Sequence, residues 1–125
     1  MTSAKHYFRL VDYLGHMLEA IEHCQDYVVD MDGVAFLSDR KTQDAVIRTF
    51  EVIGEAANNI RKYHPDFVTA YPEVPFNRAV GMRNVLSHGY FSVDLEAVWL
   101  AIHADLPPLY QALRALIDSL DPDPS

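Results

Sequence analysis

The chain has one cysteine, Cys24, so it cannot form an internal disulfide, and a reducing, cytoplasmic setting is expected. Positive charge is scarce: ten Lys and Arg face eighteen Asp and Glu, for a formal net charge of −8. A balance of that sign weakens non-specific attraction to nucleic acid. No apolar run is long enough to span a membrane, and the opening MTSAKHYFRLVDYLGHM lacks the continuous apolar stretch of a signal peptide. There is no HExxH, no Cys/His cluster and no Gly-rich phosphate loop, so the commonest sequence signatures of metal and nucleotide sites are missing. Sustained period-two alternation is also missing, which argues against a sheet.

What remains is a helical pattern in 125 residues, half of them apolar. That length fits one domain over residues 1–125 with a real core, ending in a frayed tail at 121–125. From about Lys5 to Asp30, Leu10, Val11, Leu14, Met17, Leu18, Ile21, Cys24 and Val28 recur at the three-to-four spacing of one helix face. Gly33 marks a break. A second helix spans about Asp39 to Tyr63, capped by Ser38 or Asp39, with Val46, Ile47, Phe50, Ile53, Ala57 and Ile60 as its stripe. Gly54 lies inside that stripe. A glycine there costs about 1 kcal/mol relative to alanine, and close approach of another helix is the expected compensation. His64-Pro65 ends the helix. The proline-rich stretch PDFVTAYPEVPF reads as a loop with at most a short helical turn. A third helix starts near Pro75-Phe76 and stops near Gly89. Asp94 caps a fourth, whose stripe is Leu95, Val98, Trp99, Ile102, Leu106, Leu109, Leu113, Leu116, Ile117 and Leu120, and Pro107-Pro108 should kink or split it. The expected fold is an all-α, antiparallel four-helix bundle.

Charge is unevenly spread. Residues 40–64 and 78–90 hold seven basic and three acidic residues, leaving three basic and fifteen acidic elsewhere. A local basic site on an acidic body is therefore possible. Within it lies MRNVLSHGYFSVD, which groups Arg83, Asn84, His88 and Tyr90. On a continuous helix Arg83 and His88 would stand roughly 140° apart. They meet on one ligand if it lies between them, if the helix loosens at Gly89, or if a second protomer completes the site. A guanidinium holds phosphate oxygens, an imidazole gives or takes a proton near neutrality, and an amide orients either. Those groups suffice for RNA hydrolysis in which the ribose 2′-hydroxyl is the nucleophile, and no metal is then required. The same residues also fit an ordinary helix terminus, with His88 favouring the dipole and Gly89 as the cap.

The stretch resembles the R-x4-H-x-Y signature of the HepT-like branch of HEPN domains: Arg83, four residues, His88, Gly89, Tyr90. The IGEA run at Ile53–Ala56, the Asp94–Trp99 spacing and DLPPL at Asp105 extend the likeness over about residues 5 to 120. The resemblance implies a helical homodimer with the motif residues of both protomers in a shared cleft. It implies a metal-independent ribonuclease, often the toxin of a type VII toxin–antitoxin pair. Its partner would be an MntA-like nucleotidyltransferase antitoxin that transfers AMP onto the motif tyrosine. Carried over, Arg83 and His88 are catalytic, Asn84 supports them, and Tyr90 is the modification site. No metal or other cofactor is called for. The other reading is a non-catalytic HEPN module that binds a nucleotide or the nucleotidyltransferase.

Glu55 either pairs with a motif arginine at the cleft or belongs to a surface network, and Arg48 extends the basic strip. His16, Glu19 and His23 share one side of the first helix, but on its polar face, where a solvated surface is the expectation rather than a metal site. Cys24 reads as a small buried thiol, and Trp99 as core or dimer seam.

Overall fold

The computed structural model describes residues 2–86 and 93–120. The expectations for His88, Gly89, Tyr90 and the tail at 121–125 lie outside the described residues. Within them there are seven helices and no strand: α1 (Thr2–Tyr27), α2 (Gly33–Leu37), α3 (Arg40–Tyr63), α4 (Pro65–Ala70), α5 (Phe76–Val85), α6 (Leu95–Ala104) and α7 (Leu106–Leu120). The four main helices expected from the sequence are α1, α3, α5 and the α6–α7 pair.

The apolar stripes explain the packing. Leu10, Leu14, Met17, Ile21 and Cys24 on α1 and Val28 just past its end are buried, as are Val46, Phe50, Ile53, Ala57 and Ile60 on α3; Leu18 and Ile47 are half-buried, and Val11 is exposed at the edge of its stripe. Helix α3 is central, with α1 on one side and α5 on the other. Arg9 shares a small cavity with Tyr63, and Tyr27 shares another with Ala45, so α1 and α3 run antiparallel. Leu106, Leu109, Leu113 and Leu116 bring α7 onto the same core. Across its edge the Tyr110 hydroxyl donates to Glu22 at 2.8 Å.

Local chemistry sets the helix ends. The Asp39 carboxylate accepts from the Thr42 N–H at 3.0 Å, and Asp94 accepts from the Ala97 N–H at 3.0 Å, so both are N-caps. The capping bond holds the Asp39 carboxyl below the usual aspartate range. The expected interruption near Pro107-Pro108 is present. Helix α6 is closed by Asp105, and α7 starts at Leu106 with both prolines in its first turn. Their missing N–H groups are not needed there.

Two elements depart from the sequence reading. Gly33 opens a helix instead of only ending one, because Asp32 caps α2 by accepting from the Ala35 N–H at 2.8 Å. Five residues cannot hold a helix alone. Here Phe36 is fully buried and stacks on Trp99, with ring centroids 5.2 Å apart. Helix α5 ends at Val85, short of Gly89, because the Leu86 N–H turns back to the Arg83 carbonyl at 3.1 Å.

Candidate active site

The site is built where α3 crosses α5. A Cβ placed on Gly54 would lie 2.6 Å from the Arg83 Cβ, and 3.2 and 3.3 Å from the Arg83 N and Cα. The backbone of α5 therefore rests directly on α3 at this residue, and only glycine leaves the room. The next residue, Glu55, points outward and accepts from the Arg83 Nη1 at 2.9 Å. This decides the role left open for Glu55: it pairs with the motif arginine. Both side chains are substantially exposed, 40% for Arg83 and 62% for Glu55. A pair so exposed contributes only about 0–1 kcal/mol to stability. Its effect is to orient the guanidinium.

The guanidinium helps wall a cleft of about 570 Å³ whose lining also includes Tyr13 and His16 from α1, and Arg48, Glu55 and Asn59 from α3. Arg48, expected to extend the basic strip, is thus in the same cleft as Arg83. Its side chain is 75% exposed and stands 3.9 Å from Glu51, too far for a hydrogen bond. Asn84 is in the last turn of α5, exposed, and does not line this cleft. Arg83, Glu55 and Arg48 are therefore brought together in one lining, and Asn84 is not part of it.

Other candidates fall into place around this cleft. His16, Glu19 and His23 line an adjoining cavity of about 280 Å³. Among the described residues no three His, Cys, Asp or Glu side chains converge as metal ligands would. Cys24 is fully buried, and desolvation pushes its thiol up to about 11 against a weaker opposing hydrogen bond from Thr49. It is packed as a small apolar group. Trp99 lies between Phe36 and His103, the latter edge-on at 4.4 Å, and so is occupied within the chain. Tyr13 and Asn59 were not singled out from the sequence. Their signal is weak: each sits at the polar edge of an apolar stripe.

Comparison with known proteins bears on this geometry. The family described as "Ribonuclease HepT-like" matches residues 17–116, a span that takes in Arg48, Gly54, Glu55 and Arg83. A protein of Thermococcus cleftensis named "Probable ribonuclease HepT" is 42% identical over 98 residues, covering 78% of this chain and 86% of that one. A Methanocaldococcus jannaschii protein named "Putative RNase" is 35% identical over 109 residues, covering 87% of this chain and 88% of that one. A second protein of that organism, named "Gamma-glutamylcyclotransferase and putative RNase", is 36% identical over 109 residues; the match covers 87% of this chain and 48% of that longer protein. No solved structure matches the chain significantly.

Proposed function

The chain belongs to the ribonuclease HepT-like family, and from that premise we propose that it is a metal-independent endoribonuclease acting through Arg83 and His88. The observation that carries this reading is the mounting of Arg83. A glycine lets its backbone seat on α3, and a carboxylate fixes its guanidinium at the wall of an open cleft. A residue that served only as a helix terminus would need neither.

In the proposed reaction Arg83 holds the scissile phosphate and stabilises the charge that builds on it. The 2′-hydroxyl gives up its proton, its oxygen bonds to phosphorus, and the bond from phosphorus to the 5′-oxygen breaks as that oxygen is protonated. His88 moves the proton. The products are a 2′,3′-cyclic phosphate and a 5′-hydroxyl. Asn84, exposed in the last turn of α5 and outside the lining of the cleft, supports Arg83 and His88 from the edge of the site. The working unit is a homodimer, in which a second copy of the motif completes the site.

Regulation follows from the same chemistry. The chain is the toxin of a type VII pair with an MntA-like nucleotidyltransferase, which adenylylates Tyr90. The added group brings bulk and negative charge two residues from His88, and so blocks the site and repels an RNA phosphate.

The test is cleavage of total tRNA and mRNA by purified protein in EDTA, beside Arg83→Ala and His88→Ala. Cutting by the wild type alone, leaving a cyclic phosphate, is the expected result. If the folded wild type, unmodified at Tyr90, leaves RNA intact, the enzyme reading fails and the non-catalytic HEPN module takes its place. Cutting by Arg83→Ala at the wild-type rate removes Arg83 from the mechanism.

A further inference from the structure

Beyond the motif, the groove between α1 and α3 carries its own set of groups. The stripe Arg48, Val52, Glu55, Asn59 on α3 faces Tyr13 and His16 on α1 across the cleft that holds Arg83. His16, Arg48 and Val52 also line the adjoining cavity, which continues along α1 past His23 to Tyr27. The two spaces together form a groove running away from Arg83, with Arg48 and His16 where they meet. Arg83 seats on α3 at Gly54, and Arg48 lies six residues earlier, so about 9 Å along the helix axis separates the two levels. That is one to two nucleotide steps of an extended strand, within reach of two flexible arginine side chains.

We infer that His16 and Arg48 form a second phosphate subsite, which binds single-stranded RNA flanking the bond at Arg83. Arg48 is the cation best placed to change partner. It is largely exposed and only loosely opposed by Glu51 at 3.9 Å, whereas Arg83 is held by Glu55 at 2.9 Å. A guanidinium on α3 and an imidazole on α1 can approach one phosphate from opposite walls. Beside His16, Tyr13 carries the Arg9 guanidinium 5.8 Å over its ring, and further along His23 and Tyr27 offer ring faces on which unpaired bases stack without regard to sequence. The subsite rests on the reading of Arg83 as the phosphate-binding residue of the reaction.

The experiment measures binding of a fluorescein-labelled 2′-O-methyl RNA hexamer, which has no free internal 2′-hydroxyl to react, by anisotropy across a salt series, alongside the cleavage assay. Arg48→Ala should weaken binding about ten-fold at low salt. It should also reduce the slope of log affinity against log salt by about 0.7, the value for losing one phosphate contact on a single strand. His16→Ala should weaken binding several-fold, and Arg48→Lys should restore most of the salt slope. Equal affinity and slope in wild type and Arg48→Ala, both folded, would overturn the subsite, as would failure of the wild type to bind the hexamer. The two readings separate cleanly. Cutting without any effect of Arg48 leaves the nuclease and removes the subsite, and Arg48-dependent binding without cutting does the reverse.

Discussion

Replacing Gly54 by alanine tests the helix crossing on which the site depends. In open helix the substitution would add about 1 kcal/mol of stability. Here the new methyl would lie 2.6 Å from the Arg83 Cβ, and ordinary contact begins at 3.4 Å, so the two helices must part by about 0.8 Å. The neighbouring atoms are the Arg83 backbone as well as its side chain, so a rotamer change cannot absorb the strain. Overpacking of this kind costs about 1–3 kcal/mol. Set against the propensity gain, Gly54→Ala should range from neutral to about 2 kcal/mol less stable. Gly15 is the control, because it is also helical and a Cβ there meets nothing within 4 Å. Gly15→Ala should melt higher than wild type by a few degrees, at about 3–6 °C per kcal/mol for a chain of this size. Gly54→Ala should melt at least about 3 °C below Gly15→Ala. A displacement of this size at a catalytic group can also cost about a hundred-fold in rate, so cleavage should fall by one to two orders of magnitude. Thermal unfolding followed by circular dichroism, with cleavage assayed on the same samples, reads both effects. If Gly54→Ala melts as high as Gly15→Ala and cuts RNA at the wild-type rate, the close crossing does not exist as described.

Four further outcomes follow from particular contacts. Glu55→Gln removes the charge that orients Arg83 but keeps the shape; unfolding should shift by less than about 1 kcal/mol while cleavage drops ten-fold or more, and an equal loss in both would make Glu55 merely structural. Cys24, with its thiol pushed from 9.0 to about 11, should hold about a hundredth of the unfolded thiolate fraction at pH 8 and so react with a disulfide reagent at least that much more slowly when folded. Because folding raises that thiol, its contribution to stability is complete below pH 9 and fades as pH climbs towards 11, a decline that Cys24→Ala should lack. Asp39 has the opposite sign: its carboxyl is lowered by the Thr42 N–H, so its contribution is present above the ordinary value of 3.8 and lost as pH falls below it. Acid titration of unfolding should show a shallower acid limb in Asp39→Asn, and identical limbs would refute the cap.

Much of the fold was legible because helix faces are periodic. The stripes on α1, α3 and α7 are the buried faces, and the caps at Asp39 and Asp94 lie where an acidic side chain precedes an apolar repeat. Gly54 was legible as a place of close approach because glycine has no other advantage inside a helix. Helix α2 was not, since five residues are too few to show a period and its stability comes from Phe36 packing on Trp99. The early end of α5 depends on a turn by Leu86 that residue type does not announce. The Glu55–Arg83 pair joins residues 28 apart in sequence, so their meeting could be named as one of two arrangements but not chosen. The cleft is harder still, because Tyr13, His16, Arg48 and Asn59 become neighbours only once α1 and α3 are antiparallel.

The 2.9 Å bond from Arg83 to Glu55 also makes the carboxylate a resident competitor. An anion that reaches Arg83 meets a guanidinium whose charge is already partly balanced, so a lone monovalent anion gains little there. A polymer of phosphates gains more, since while one group meets Arg83 its neighbours engage other cations. The pair thus works as a threshold that trades affinity for selectivity. On the proposed function, it would let a protein of net charge −8 favour a chain of phosphates over single anions.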